Sequence, residues 1–346
     1  VYAEEVRALL EEKGIEIGDR VKIVRKDGKE FVGFLMPRTY YNPDVIVIKL
    51  DNGYNIGVAF QEVKEIALVE KSKKREESCE EEVEFGEEKP LVSLLSTGGT
   101  IACRVDYRTG GVTPVLTASD LYSLIPELRE VARFSLKKIM NIFSENMHVK
   151  YYEKLAKEVY SEIKKNSPRG VIITHGTDTM HFSSSALSFA LKNLNIPVVF
   201  VGAQRSSDRA SSDAAVNLIS STLFACSEYA GVYICMHEGL SDDSCAVHLG
   251  TRVRKLHSSR RDAFKSVNSS IAARVLWRER RIEVVDEKLL KKREEVEGEV
   301  ELLGRFSDRV ALVKVYPGFD GGIIDYLVDK NYEGLVIEGT GLGHAP

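Results

Sequence analysis

Cysteine is scarce in this 346-residue chain, and its few cysteines have no pattern. Cys79, Cys103, Cys226, Cys235 and Cys245 are odd in number and show no CxxC spacing. That excludes a disulfide framework, offers no zinc site, and points to a reducing, cytoplasmic setting. Long apolar runs are also missing. No stretch approaches the roughly 20 apolar residues of a membrane span. The opening "VYAEEVRALLEEKG" is amphipathic and acidic and does not read as a charged-then-apolar signal peptide. The chain starts without Met, so its start is expected to be trimmed. Charge of either sign is nearly balanced, at a formal −4. Any nucleic-acid contact must therefore come from a local patch.

What is present divides the chain. Residues 1–12 read as a short helix closed by Gly14. "DRVKIVRKDGKEFVGFLM" and "DVIVIKLDNGYNIGVAF" alternate apolar and polar residues around Asp27-Gly28 and Asn52-Gly53, two hairpin turn signals. Four short strands joined by tight turns predict a small β-barrel of the SH3 or Sm kind over residues 1–69. Such a unit is too small for a deep active site and suits docking. Residues 70–90, "EKSKKREESCEEEVEFGEEKP", read as a charged linker.

Beyond it the pattern becomes strand, loop, helix. "LVSLLS", "GVIITHG", "IPVVFVGAQ", "GVYICMHEG" and "RVALVKVYPG" are short Val/Ile-rich runs. Helical patterns such as "YYEKLAKEVYSEIKK" separate most of them. This predicts an α/β fold with a parallel sheet covered on both faces. In such sheets ligands sit beyond the carboxyl ends of the strands.

The first of these strands stops in Ser96-Thr97-Gly98-Gly99-Thr100. A plain turn needs one glycine and no hydroxyls. A Walker-type phosphate loop needs a lysine before the final Ser or Thr, and none is here. What remains is a threonine hydroxyl at a strand end with backbone N–H groups beside it. Gly98 and Gly99 would let a substrate approach the backbone closely, where N–H groups can stabilise an oxyanion. Later segments bring polar residues to the same edge: His175 to Asp178, then Gln204 to Ser206. "NIFSENMH" adds Asn141, Ser144 and Glu145, and "TRVRKLHSSRRDAF" adds Lys255. A hydroxyl nucleophile needs a neighbouring base, and a lysine of lowered pKa can serve. Thr177, Asp178 and Lys255 would form such a set, with Asp178 also able to hold a substrate ammonium.

"STGGTIA", "THGTDTM", "VGAQR" and "FKSVN", in this order over residues 91–346, resemble the bacterial-type L-asparaginase and glutaminase family. The resemblance implies a larger α/β catalytic domain (residues 91–285) followed by a smaller one (286–346). It implies hydrolysis of a side-chain amide to carboxylate and ammonia, with no metal or cofactor. Thr97 matches the family's loop nucleophile, and Tyr107 in "DYRTGGV" its loop tyrosine. Thr177, Asp178 and Lys255 match the second threonine, its aspartate and the lysine. Ser144 and Glu145 match the pair that grips the substrate's α-carboxylate and α-ammonium. The family often has Gln at the second of these, so Glu145 adds a negative charge.

The extra residues 1–90 resemble the asparaginase-like subunits of archaeal glutamyl-tRNA(Gln) amidotransferases, as does "SENM". That implies a partner subunit with kinase and transamidase activity, ATP and Mg in that partner, and Glu-tRNA(Gln) reached through the complex. It also implies a homodimer within a heterotetramer, and free hydrolysis held back until the partner is ready. "CRVDYRTGGV" has the composition of a mobile lid for that control. The ending "YEGLVIEGTGLGHAP" stops within the smaller domain, so the chain is expected to be truncated before a glutamate that the family contributes from across the dimer. A free-standing asparaginase with an accessory domain is the alternative, and a binding protein that has lost activity a third.

Other residues have ordinary readings. Thr100, Thr179 and Ser206 suit turns and caps. His175 suits packing or hydrogen bonding. His181, His237, His248 and His257 lack metal spacing. The basic run Arg252 to Arg261 suits a solvated face. "WRERRIEVVDEKLLKKREEVEGEVE" suits an exposed hairpin or connector.

Overall fold

The computed structural model describes residues 2–36, 44–50, 55–71, 89–98, 103–106, 111–114, 125–205 and 212–346. Near the N-terminus five strands pair antiparallel. They are β1 (Arg20–Arg25), β2 (Glu30–Leu35), β3 (Val45–Leu50), β4 (Asn55–Ala59) and β5 (Val63–Glu70), in the order β4-β3-β2-β1-β5. Alternation sends Val21, Ile23, Leu35, Ile46, Ile48, Val58 and Ile66 into one core. Helix α1 (Glu4–Glu12) adds Val6 and Leu10, one turn apart on the same face. Gly28, at φ +85°, closes the β1–β2 turn, as Asp27-Gly28 predicts. The Asn52-Gly53 turn and linker residues 72–88 lie outside the described residues. The sequence pattern predicts four strands; β5 is a fifth. Only Ile66 is fully buried along it, so its alternation is weak. The described residues form an open path with β4 and β5 at its edges.

The principal sheet takes in β6 (Leu91–Ser96), β9 (Arg133–Lys138), β10 (Gly170–Thr174), β11 (Pro197–Val201), β12 (Tyr229–His237), β13 (Cys245–Leu249), β16 (Ala273–Leu276) and β17 (Arg281–Val284). Between these lie two further hairpins, β7 (Cys103–Asp106) with β8 (Gly111–Pro114) and β14 (Val253–Lys255) with β15 (Phe264–Ser266). The spatial order is β17-β16-β13-β12-β11-β10-β6-β9. From β9 to β12 the strands are parallel. From β12 to β17 they are antiparallel. The sheet is therefore mixed, where the sequence pattern predicts a parallel one. The reason is local: a seven-residue turn joins β12 to β13, too short for the crossover that a parallel neighbour requires. The basic "WRERRIEVV" segment is the hairpin that closes this edge, with Leu276 opposite Arg281.

Period-two alternation splits the parallel strands between two cores. Val92, Leu94, Ile172, Val199 and Val201 meet Leu218, Ile219 and Phe224 of helix α4 (Ala214–Ala225) on one face. Leu95, Val171, Ile173, Val198 and Phe200 meet helices α2 (Val149–Asn166) and α3 (Met180–Ala190) on the other. Ser93, the polar residue inside β6, donates to buried Glu162 Oε1 of α2 at 2.8 Å, so neither is left unpaired.

Register then sets the functional edge. Lys138, Ser96, Thr174 and Val201 stand side by side on four adjacent strands. The residues that follow, among them Thr97, His175 and Gly202, share one line at the carboxyl edge. Farther along, β18 (Val310–Lys314), helix α5 (Gly322–Asp329) and β19 (Gly334–Glu338) form a parallel β-α-β unit. Among the described residues, no helix is long and apolar enough to cross a membrane.

Candidate active site

Thr97 leaves β6 with its side chain almost wholly enclosed, at 2% exposure. Its N–H and its hydroxyl both donate to Thr174 O, at 3.1 and 2.9 Å. Its own carbonyl accepts the Ile142 N–H at 3.1 Å. Gly98 follows at φ +130°, and a Cβ there would lie 2.5 Å from Ile142 O. Both conformation and space require glycine. The threonine is thus clamped between β10 and the 140–143 segment. Gly99 and Tyr107 lie outside the described residues.

The second cluster is built on the β10 end. Lys255, from the last position of β14, crosses to it with its side chain 8% exposed. Its Nζ donates to Thr177 Oγ1 at 2.8 Å and to Asp178 Oδ1 at 2.7 Å. Asp178 is itself largely exposed. The arrangement gathers a hydroxyl, an amine and an accessible carboxylate.

Ser144 and Glu145 open a single 3-10 turn. Ser144 is buried and Glu145 exposed. Ser144 O accepts the Thr179 hydroxyl at 2.5 Å, and a Cβ on Gly176 would lie 2.8 Å from Ser144 Oγ. The two segments therefore press directly on the Thr177 loop. Thr97, Gly98, Ser144, Thr177, Asp178 and Lys255 come from four separate segments and share this edge.

His175 underlies the loop. Its Nδ1 lies 2.7 Å from Gly176 O and its Nε2 2.8 Å from Ser183 Oγ. A carbonyl only accepts, so Nδ1 carries the proton and Nε2 accepts from the serine. Burial pushes its pKa down to about 4. It is a neutral packing residue, edge-on to Phe200.

Sequence reasoning overlooked Gly202, Asp213 and Asn217. A Cβ on Gly202 would lie 2.8 Å from both Thr177 Cγ2 and His175 O. Asp213 precedes α4 without capping it. It turns back to accept the N–H groups of Arg205 and Gln204, at 2.9 and 3.1 Å. Asn217 Nδ2 donates to Gly202 O at 3.0 Å and to Asp213 Oδ2 at 2.8 Å. The only sequence signal was the "SSD" before an apolar helix, which reads as an ordinary cap. Among the described residues, no group of three or more His, Cys, Asp or Glu could hold a metal ion.

Comparison with known proteins gives a consistent picture. Residues 91–289 match the family model described as Asparaginase, N-terminal, and residues 15–69 that of the GatD N-terminal domain. The chain is 49% identical over 346 residues to the D subunit of the glutamyl-tRNA(Gln) amidotransferase of Pyrococcus furiosus, across 99% of this chain and 78% of that protein. Against the corresponding D subunit of Methanopyrus kandleri it is 47% identical over 347 residues, across 99% and 76%. Among solved structures, the thermostable L-asparaginase from Thermococcus kodakarensis shares 30% identity. It superposes with a TM-score of 0.63 over 74% of this chain and 73% of that one.

Proposed function

This chain belongs to the asparaginase family, among the glutamyl-tRNA(Gln) amidotransferase D subunits, and we propose that it releases ammonia from a side-chain amide for tRNA-dependent amidation. It is an asparaginase-type amidohydrolase subunit. The ammonia is used by a partner subunit that converts Glu-tRNA(Gln) to Gln-tRNA(Gln). Kinase and transamidase chemistry, with ATP and Mg, belongs to that partner. The working assembly is a homodimer of this chain within a heterotetramer in the cytoplasm. Residues 1–69 serve docking, residues 91–285 carry the site, and residues 286–346 begin the smaller α/β domain.

The observation that carries this reading is the Lys255 bridge to Thr177 and Asp178 on the strand edge that also bears Thr97. Thr97 Oγ1 attacks the amide carbon of Gln or Asn. Tyr107 positions it and takes its proton, because Thr174 O, which accepts the hydroxyl's hydrogen bond, cannot. The C–N bond breaks, the nitrogen takes the proton held by Tyr107 and leaves as ammonia, and an ester to Thr97 remains. Water activated through Thr177, Asp178 and Lys255 then cleaves that ester, freeing the carboxylate and restoring the hydroxyl. Ser144 and Glu145 grip the α-carboxylate and α-ammonium. Asp178, exposed beside Lys255, is a second holder for the ammonium.

The test is steady-state ammonia release by the full-length chain, alone and with partner and Glu-tRNA(Gln). Slow release alone and strong stimulation together are expected. Vigorous release that neither addition changes would make this a free-standing asparaginase.

A further inference from the structure

His237, at the end of β12, is fully buried, and its ring has two acceptors facing it. Nδ1 lies 2.5 Å from Asn217 Oδ1, and Nε2 lies 3.1 Å from Asp242 Oδ1. The amide orientation of Asn217 is fixed by its other end. Its Nδ2 faces Gly202 O and Asp213 Oδ2, which only accept, so Oδ1 must face the histidine. Asp242 is half-exposed and pairs with the Arg261 guanidinium at 2.5 Å, so it stands as a carboxylate. Both ring nitrogens must then donate. His237 is an imidazolium, unlike His175, which has the neutral ring described above.

The chain of contacts leads to the site. His237 holds Asn217, Asn217 holds Gly202 by its carbonyl, and Gly202 packs against the Thr177 methyl. We propose that doubly protonated His237, braced by Asp242, is a positioning residue that acts through Asn217 to seat Gly202 against Thr177. This rests on the assignment of Thr177 to the amide-hydrolysing site.

The groups facing His237 are Asp242 from the turn after β12, Asp213 before α4, and Cys245 on β13, with Sγ 4.0 Å from Nδ1; Arg261 meets it only through Asp242. Burial disfavours the cation, but the bond to the Asp242 carboxylate and the charge of Asp213 favour it, and the pKa is raised above 6.5. Burial pushes the Cys245 thiol up, so it stays neutral and donates to Asn217 Oδ1 at 3.4 Å. The link is thus complete below pH 6.5 and lost as pH rises through the raised value. A neutral ring keeps one proton. The bond to a carboxylate is the stronger of the two, so the proton stays on Nε2 and Nδ1 loses its hold on Asn217.

Two measurements test this on the full chain in its complex. The first is the imidazole 15N signals of His237, assigned with His237→Gln. Two protonated nitrogens at pH 6 are expected, with one lost at alkaline pH. A single protonated nitrogen at pH 6 overturns the proposal. The second is the pH profile of ammonia release by Asp242→Asn, a half-exposed site that tolerates the change. The alkaline limb of kcat should move to lower pH, with KM at acid pH little changed. A limb that does not move, or a uniform loss at every pH, overturns the positioning role. The nitrogen signals do not depend on turnover, so they stand even if Thr177→Ala shows that the site itself is misassigned.

Discussion

Lys255 Nζ stands 2.8 Å from the Thr177 hydroxyl, though 78 positions separate the two residues. Hairpin β14–β15 makes the contact, because Lys255 pairs with Phe264, itself buried in the core beneath the sheet. The lysine head is therefore placed by the fold and not by a flexible stem. Arginine keeps the charge but cannot serve as a base, and its planar fork does not fit a site 8% exposed. Lys255→Arg should lose as much turnover as Lys255→Met, on the order of 10³-fold or more. Recovery of activity in the arginine variant would show an electrostatic support and no proton carrier.

In the proposed mechanism Thr97 and Thr177 act in one sequence of steps, so each should be indispensable. Thr97→Ala and Thr177→Ala are each expected to lower ammonia release by roughly 10³-fold or more. Thr97→Ser, which keeps the hydroxyl, should retain a larger share. Near-normal release from either alanine variant in the full-length protein would remove that threonine from the chemistry.

Gly98 is constrained more tightly than its neighbours. A Cβ would sit 2.5 Å from Ile142 O, at a φ of +130° that side chains rarely adopt. Gly98→Ala should cost about 2 kcal/mol or more of stability and displace Thr97. A denaturant midpoint together with turnover reads both. An unchanged midpoint would mean that the 140–143 segment gives way.

Asp213 is buried and accepts three donors, two of them backbone N–H groups of the loop after β11. Asp213→Ala leaves those donors unpaired and should destabilise the protein by roughly 3 kcal/mol. Asp213→Asn, which keeps the shape, should cost less. Equal losses from the two changes would mean that shape contributes little.

Acid should weaken the fold through two histidines buried neutral. Burial pushes both His175 and His248 from 6.5 down to about 4. As pH falls below 6.5, the unfolded chain takes up protons that the folded one refuses. Stability is therefore full above pH 6.5 and declines toward pH 4, by up to roughly 3 kcal/mol for each histidine. Urea midpoints at pH 7 and pH 4.5 measure this, and His248→Leu should flatten the slope. A slope unchanged in that variant would assign the acid sensitivity elsewhere.

What the sequence makes legible follows a physical divide. Val/Ile runs alternating with helical patterns announce a sheet covered on both faces, because β6, β10 and β11 are buried on both sides and, Ser93 aside, apolar within. The antiparallel half is not legible. β14, β15, β16 and β17 are three or four residues long, and their order in space is set by short turns whose direction composition does not encode. Motif order points to Thr97, Thr177, Asp178 and Lys255, and the register of Ser96 beside Thr174 explains how the first two strand ends meet. Asp213, Asn217 and His237 stay hidden because each has an ordinary local meaning: a cap, a helix interior polar residue, a strand-end histidine. Only their mutual contacts across α4, β11 and β12 give them another.

The most direct test of the central claim follows the nitrogen. The complex with its partner subunit receives ATP, Glu-tRNA(Gln) and glutamine or asparagine carrying 15N in the side-chain amide. The label should appear in the newly formed amide of Gln-tRNA(Gln), and Thr97→Ala should abolish its transfer while unlabelled ammonium still supports amidation. Label released only as free ammonium, with none reaching the tRNA-bound glutamine, would contradict the account.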